Sequence, residues 1–219
     1  KKIPQSVGHT LWHRLETMDI SEDHKWVLYK SATEENDTLI VQSATGGKRH
    51  PFPNAEKAGF FGSSYLVVKG KKGLEVLYLK TGRRKSFNGA ADFVVAGELL
   101  GMIYKNGTSE RLSVINRQLT EVASIDKVVA LKEHVASNSM AVATIDGGNA
   151  TIRILQSERG VARRYQASFT ATNAMYLTWS NDGKNIAFAV NSAEGSKLYA
   201  YSLEDQKLWV LEEDLLDSM

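Results

Sequence analysis

The arrangement that most restricts how this chain can fold is a turn pattern that occurs twice, far apart, each time between short alternating runs. In the second copy Leu177 and Trp179 flank Thr178, and Ile186 and Phe188 flank Ala187, so each run offers one apolar face and one lighter face. That period of two belongs to β-strands. Between the runs stand Asn181, Asp182 and Gly183. The Asp side chain bonds neighbouring backbone N–H groups, and Gly tolerates positive φ. In the first copy Ser21, Asp23, Lys25, Val27 and Tyr29 answer to Ser180, Asp182, Lys184, Ile186 and Phe188. His24 takes the place of Gly183, so a turn of the same shape is expected to hold a histidine in the left-handed region under some strain. Two copies separated by so much chain point to a repeating architecture.

Five units can be read along the chain, at residues 17–53, 55–88, 89–125, 127–169 and 172–211, after an N-terminal arm at 1–16 and before an acidic tail at 212–219. Equivalent third strands start at Leu39, Leu74, Leu112, Thr151 and Leu198, a period of about 40 residues. The first two of these strands both run into Thr-Gly, at Thr45-Gly46 and Thr81-Gly82. Pro51 and Pro53 confine the last strand of the first unit to an edge or a connection. Four short strands repeated at this period describe propeller blades; an irregular β-sandwich is the alternative that the strand spacing permits. The predicted fold is all-β, a β-propeller of about five four-stranded blades, closed as a small ring or forming an incomplete part of a larger propeller. A lone blade cannot bury both of its faces, so each must stack on neighbours. In the arm, Leu11, Trp12 and Leu15 would be costly to leave in water and are expected to pack against the first unit.

Composition narrows the function classes. The chain has 219 residues, 42% hydrophobic and 24% charged, which suits a folded core rather than a disordered segment. Its 27 basic and 25 acidic residues are well mixed and sum to +2, without the basic stripe that tracks a phosphate backbone, so nucleic acid is not an expected partner. No apolar run approaches the roughly 20 residues of a membrane-spanning helix. There is no Cys, which removes disulfides and thiolate chemistry. The chain opens on Lys1 rather than Met, which suits a mature product that has lost a signal peptide. Asn-x-Ser/Thr matches at Asn36, Asn106 and Asn149 are short enough to be chance.

Trp12, the run Ile20, Ser21, Asp23, Lys25, Trp26, Val27 and Tyr29, the segment from Asp37 to Val41, Thr45-Gly46 with Lys48, residues 74–82, and the turn from Trp179 to Lys184 together resemble the N-terminal β-propeller domain of exported bacterial serine peptidases of the prolyl oligopeptidase family. More loosely they resemble TolB-like and WD40-like propeller repeats. In that peptidase family the propeller sits over an α/β-hydrolase domain carrying a Ser-Asp-His triad and filters peptide substrates. The resemblance implies a non-catalytic domain that controls substrate access, a partner that is a C-terminal α/β-hydrolase domain or another protein or peptide, and a periplasmic or otherwise exported location. The alternative it leaves open is a stand-alone TolB-like interaction module.

No catalytic, cofactor-binding or metal residue is assigned from the sequence. A hydrolase nucleophile elbow is Gly-x-Ser-x-Gly. Gly62-Ser63-Ser64 and Gly107-Thr108-Ser109 approach it but lack the final Gly and fall where blade turns are expected. His9, His13, His24, His50 and His134 show no ligand spacing. The four Trp read as packing anchors between blades. Arg83-Arg84-Lys85 and Arg163-Arg164 read as charged strand edges, with an acidic partner as the functional alternative. Gly70-Lys71-Lys72-Gly73 reads as a hairpin turn rather than a phosphate loop.

Overall fold

The structure, a computed structural model, describes residues 14–32, 37–107, 109–158, 161–170, 175–192 and 195–213. Leu11 and Trp12 of the expected arm, and the tail from residue 214, lie outside the described residues, whereas Leu15, expected to pack against the first unit, sits on a strand that starts at Arg14 and is exposed. The described residues form strands and turns without a helix, in two compact units, residues 1–91 and 92–219.

The first unit holds two four-stranded meanders. One contains β1 (Arg14–Ile20), β2 (Trp26–Ala32), β3 (Asp37–Ser43) and β4 (Arg49–Pro53) in sequence order, and the other β5 (Lys57–Phe61), β6 (Tyr65–Gly70), β7 (Gly73–Tyr78) and β8 (Arg84–Asn88). The proline-bearing β4 is an edge strand, where its missing N–H groups leave no gap in a ladder. Trp26, Leu28, Leu39, Val41 and Phe52 of the first meander share one buried core with Leu66, Val68, Leu77 and Leu79 of the second. The two sheets therefore shelter each other's apolar faces, each Leu or Val contributing on the order of 1.5–3 kcal/mol.

In the second unit, β9 (Ala90–Ala96), β10 (Leu99–Asn106), β11 (Ser109–Asn116), β12 (Glu121–His134), β13 (Ser139–Asp146), β14 (Asn149–Glu158) and β15 (Val161–Thr170) make one seven-stranded sheet. A separate meander follows, β16 (Met175–Trp179), β17 (Asn185–Ser192), β18 (Gly195–Ser202) and β19 (Lys207–Glu213). The seven-stranded sheet is where the strand plan departs from five separate units. The third unit's last strand and the fourth unit's first strand are a single 14-residue strand, β12. Its first half pairs with β11 through Ala123, Ser124 and Ile125, and its second half with β13 from Val128 to His134. Lys127, at φ 58, lies between the halves and bends the strand without ending it.

Leu39, Leu74, Leu112, Thr151 and Leu198 fall on β3, β7, β11, β14 and β18, the third strand of each four-strand meander once β12 is counted in both of its neighbours. Alternation on β13 shows how the sheets are used. Met140 and Val142 enter a core with Leu112, Val114, Ala123 and Ile125, whereas Ala141 and Ala143 enter a second core with Ile152, Ile154, Ile186, Phe188 and Tyr201. A sheet buried on both faces is what blade stacking requires.

The repeated turn is wired alike in both copies. Ser21 Oγ donates to Asp23 Oδ1 at 2.8 Å and accepts from the Trp26 N–H at 3.0 Å, while Asp23 Oδ1 accepts from the Lys25 N–H at 3.2 Å. Ser180 Oγ donates to Asp182 Oδ1 at 2.6 Å and accepts from the Asn185 N–H at 3.0 Å, while Asp182 Oδ1 accepts from the Lys184 N–H at 3.0 Å. His24 holds φ 56 where Gly183 holds φ 67, so the anticipated strain is present.

Candidate binding clefts

The first unit carries two clefts between its sheets. One, of about 590 Å³, is bordered by Lys25, Lys48 and Lys80, with hydroxyls from Ser43, Thr45, Ser63 and Ser64. Its one carboxylate, Asp23, is engaged by Ser21 and by Lys25, 3.1 Å away. The hydroxyl of Ser21, and then the N–H and ammonium of Lys25, hold that carboxyl below the ordinary value of 3.8 against a smaller opposing effect of burial. Lys48 Nζ donates to the carbonyl of Lys80 at 2.5 Å. The second cleft, of about 480 Å³, runs along Phe52, Val68 and Leu74. There the Arg84 guanidinium lies 4.7 Å over the Phe52 ring and 2.9 Å from Glu75.

The second unit carries a cleft of about 650 Å³ between the first half of β12 and the β13–β14 hairpin. Alternation along β14 builds it. Ile152 and Ile154 turn into the core, while Asn149, Thr151 and Arg153 turn to the cleft. Ala123, Ile125 and Leu155 give it an apolar floor. Lys127 is paired with Asp146 at its edge. Arg153 Nη1 donates to Thr144 Oγ1 at 3.3 Å.

His134 also draws side chains together. Its Nδ1 lies 2.8 Å from Ser137 Oγ and accepts from the Ser137 N–H at 3.2 Å, which leaves Nε2 to donate to the Asn181 carbonyl at 3.3 Å. Trp179 stands beside it, ring centres 5.9 Å apart, and donates Nε1–H to the Lys132 carbonyl at 3.0 Å. The histidine thereby pins the end of β12 to the repeated turn.

The residues weighed in the sequence are spread among these places. Ser63 and Ser64 follow Gly62, at φ 59, in the β5–β6 hairpin, not on a strand-to-helix elbow. Ser109 opens β11 and donates to the Asn106 carbonyl at 3.1 Å, and Thr108 lies outside the described residues. His9 and His13 also lie outside them, and His24 is exposed. His50 is half-buried beside Trp26, 6.2 Å between ring centres. Its pKa is pushed below 6.5 by burial and then by the charges of Arg84 and Lys48. Among the described residues no three His, Asp or Glu side chains converge as metal ligands. Trp26 is a core anchor, whereas Trp209 is half-buried under Lys207. Arg84 is spent within the fold, and β8 is a sheet edge. Arg163 and Arg164 lie on the edge strand β15, their side chains outside the described residues. The clefts themselves join residues 20 to 60 positions apart, which no local motif announces.

Among solved structures, a eukaryotic initiation factor superimposes with a TM-score of 0.52 at 15% identity, over 84% of this chain and 52% of its own. The β-propeller domain of the Trilobed protease from Pyrococcus furiosus, described as having an open velcro topology, gives 0.50 at 14% identity, over 90% of this chain and 70% of its own. The fold is that of a β-propeller. An acylaminoacyl peptidase from Pyrococcus horikoshii matches at 0.48 and 14% identity, over 94% of this chain and 40% of its own. No protein-family model and no curated protein sequence matches the chain. The chain spans about half the length of the initiation factor it matches. Propeller stacking accounts for the double burial of β13.

Proposed function

We propose that this chain is a non-catalytic propeller domain that stands beside an α/β-hydrolase domain of a prolyl oligopeptidase-like serine peptidase and controls which peptides reach it. The observation that carries this reading is the likeness to the Trilobed protease propeller across 90% of the chain. The resemblance of the Ser21 and Ser180 turns to peptidase propellers supports it, as do clefts that offer both cations and apolar floor to an extended peptide. In this reading the protein is exported to the periplasm, where cell fractionation should find it.

A second reading, a TolB-like protein-interaction module, is favoured by β1, whose Leu15, Met18 and Ile20 are 66%, 47% and 50% exposed. Incubating the chain with a library of proline-containing peptides separates the two. Saturable binding without turnover is the expected result. Hydrolysis overturns the non-catalytic assignment, and absence of binding to every peptide removes substrate control in favour of the interaction module.

A further inference from the structure

The guanidinium of Arg153 is the one cation of the second unit's cleft lining without an ion pair among the described residues. It is half-buried, and its one hydrogen bond among the described residues is the 3.3 Å contact to the Thr144 hydroxyl. That hydroxyl is itself turned toward the carbonyl of Thr151, 3.5 Å away. A guanidinium carries five N–H donors in a planar fork that matches a carboxylate in two parallel bonds. Asp146, the acid on the adjoining hairpin, is taken by Lys127. Asp126 lines the cleft but makes no ion pair with Arg153 among the described residues.

We propose that this cleft binds a carboxylate-bearing peptide, with the carboxylate docked on Arg153. The floor of Ala123, Ile125 and Leu155 takes the apolar carbons next to the carboxylate, and the Ser124 and Thr151 hydroxyls stand on the walls. Charge balance selects the class. With Lys127 and Asp146 cancelling each other, Arg153 and Asp126 leave the lining formally neutral, so it tolerates one added negative charge at Arg153 better than two. A monoanion is favoured over a phosphate dianion on that ground. The positive φ of Lys127 contributes by bending β12 between its two ladders, beside the cleft. This site stands whether or not the chain accompanies a hydrolase.

The carboxylate has two sources in a peptide, a side chain or the chain end, and three tripeptide probes distinguish them. The first is acetyl-alanyl-glutamyl-alanine amide, the second acetyl-alanyl-glutaminyl-alanine with a free C-terminus, and the third the glutamine peptide blocked at both ends. Each is titrated into the full chain while backbone amides of Thr144, Thr151 and Arg153 and the Arg153 Nε–H are followed by NMR. One or both carboxylate peptides are expected to bind about tenfold more tightly than the blocked peptide, and Arg153→Gln to erase that difference. Equal affinity of all three overturns the proposal, as does a carboxylate preference that maps to other amides. Inorganic phosphate binding there as tightly as the peptides overturns the monoanion assignment. The contrast among peptides is measured on the unaltered protein, so it decides the matter even if Arg153→Gln fails to fold.

Discussion

The imidazole of His134 lies so close to Gly183 that a Cβ on that glycine would stand 2.3 Å from Nδ1 and 2.5 Å from Cε1. Gly183 is thus fixed twice, by its φ of 67 and by the ring that closes over it. His24, its equivalent in the first turn, answers only to the backbone, and a side chain survives there at φ 56. Replacing Gly183 by Ala is expected to destabilise the second unit by about 2–4 kcal/mol, combining left-handed strain with overpacking. His24→Gly is expected to stabilise by about 0.5–1 kcal/mol as strain is relieved. Urea unfolding of both variants checks this pair, which should move in opposite directions.

The two turns also set an acid limit. Asp182 is held below 3.8, first by the Ser180 hydroxyl and then by the Lys184 N–H, and Asp23 is lowered likewise by Ser21. Because each folded value is depressed, the stability from each carboxylate is full above the unfolded value and is lost as pH falls through the folded one. Unfolding midpoints should therefore drop as pH goes below about 4, and Asp23→Asn combined with Asp182→Asn should flatten that drop. An unchanged slope in the double variant would mean that other carboxylates govern acid unfolding.

His50 gives a second pH window. Its folded value lies below 6.5 because burial, Arg84 and Lys48 all disfavour the imidazolium, and its Nε2 is buried without a partner among the described residues. The unfolded chain takes up the proton first, so stability falls as pH drops from about 6.5 through the folded value. NMR titration of the His50 ring should give a midpoint below that of an exposed histidine, and His50→Phe should remove this part of the pH dependence. A midpoint at or above 6.5 contradicts the account.

Double burial of β13 predicts intolerance of size change on either side. Phe188→Ala, in the core shared with Ala141 and Ala143, should cost about 3–5 kcal/mol. Ala143→Leu should cost about 1–3 kcal/mol by overpacking, although a leucine would suit a strand with one open face. Leu15→Ala, on exposed β1, should stay within about 0.5 kcal/mol of the parent. Thermal unfolding of the three variants measures all of this.

Much of this plan was legible because turn chemistry and third strands are local. Ser21, Asp23, Ser180 and Asp182 bond within five residues of themselves, so their wiring could be read directly. The two Thr-Gly pairs are out of step by one residue in the structure. The Ser43 N–H bonds the Lys48 carbonyl and the Tyr78 N–H bonds the Arg83 carbonyl, which places Gly82 on Gly47 rather than Gly46. Fusion of two units through β12 was hidden because Lys127 carries no turn signal; its left-handed φ is imposed by the ladders on either side. His134 gave no sign of its role, since Ser137, Trp179 and Asn181 reach it only after β12 meets the following sheet. The Arg153 cleft was not legible beyond the strand start at Thr151, because its opposing wall comes from β12.

The central claim, that successive four-strand blades stack face to face with β13 buried on both sides, is tested most directly by methyl contacts across β13. In a sample labelled at Ala, Ile, Leu, Val and Met methyls, nuclear Overhauser contacts should join Ala141 and Ala143 to the Ile152, Ile186 and Phe188 side, and Met140 and Val142 to the Leu112 and Val114 side. Contacts from one face of β13 only, with the other face open to solvent, would contradict it.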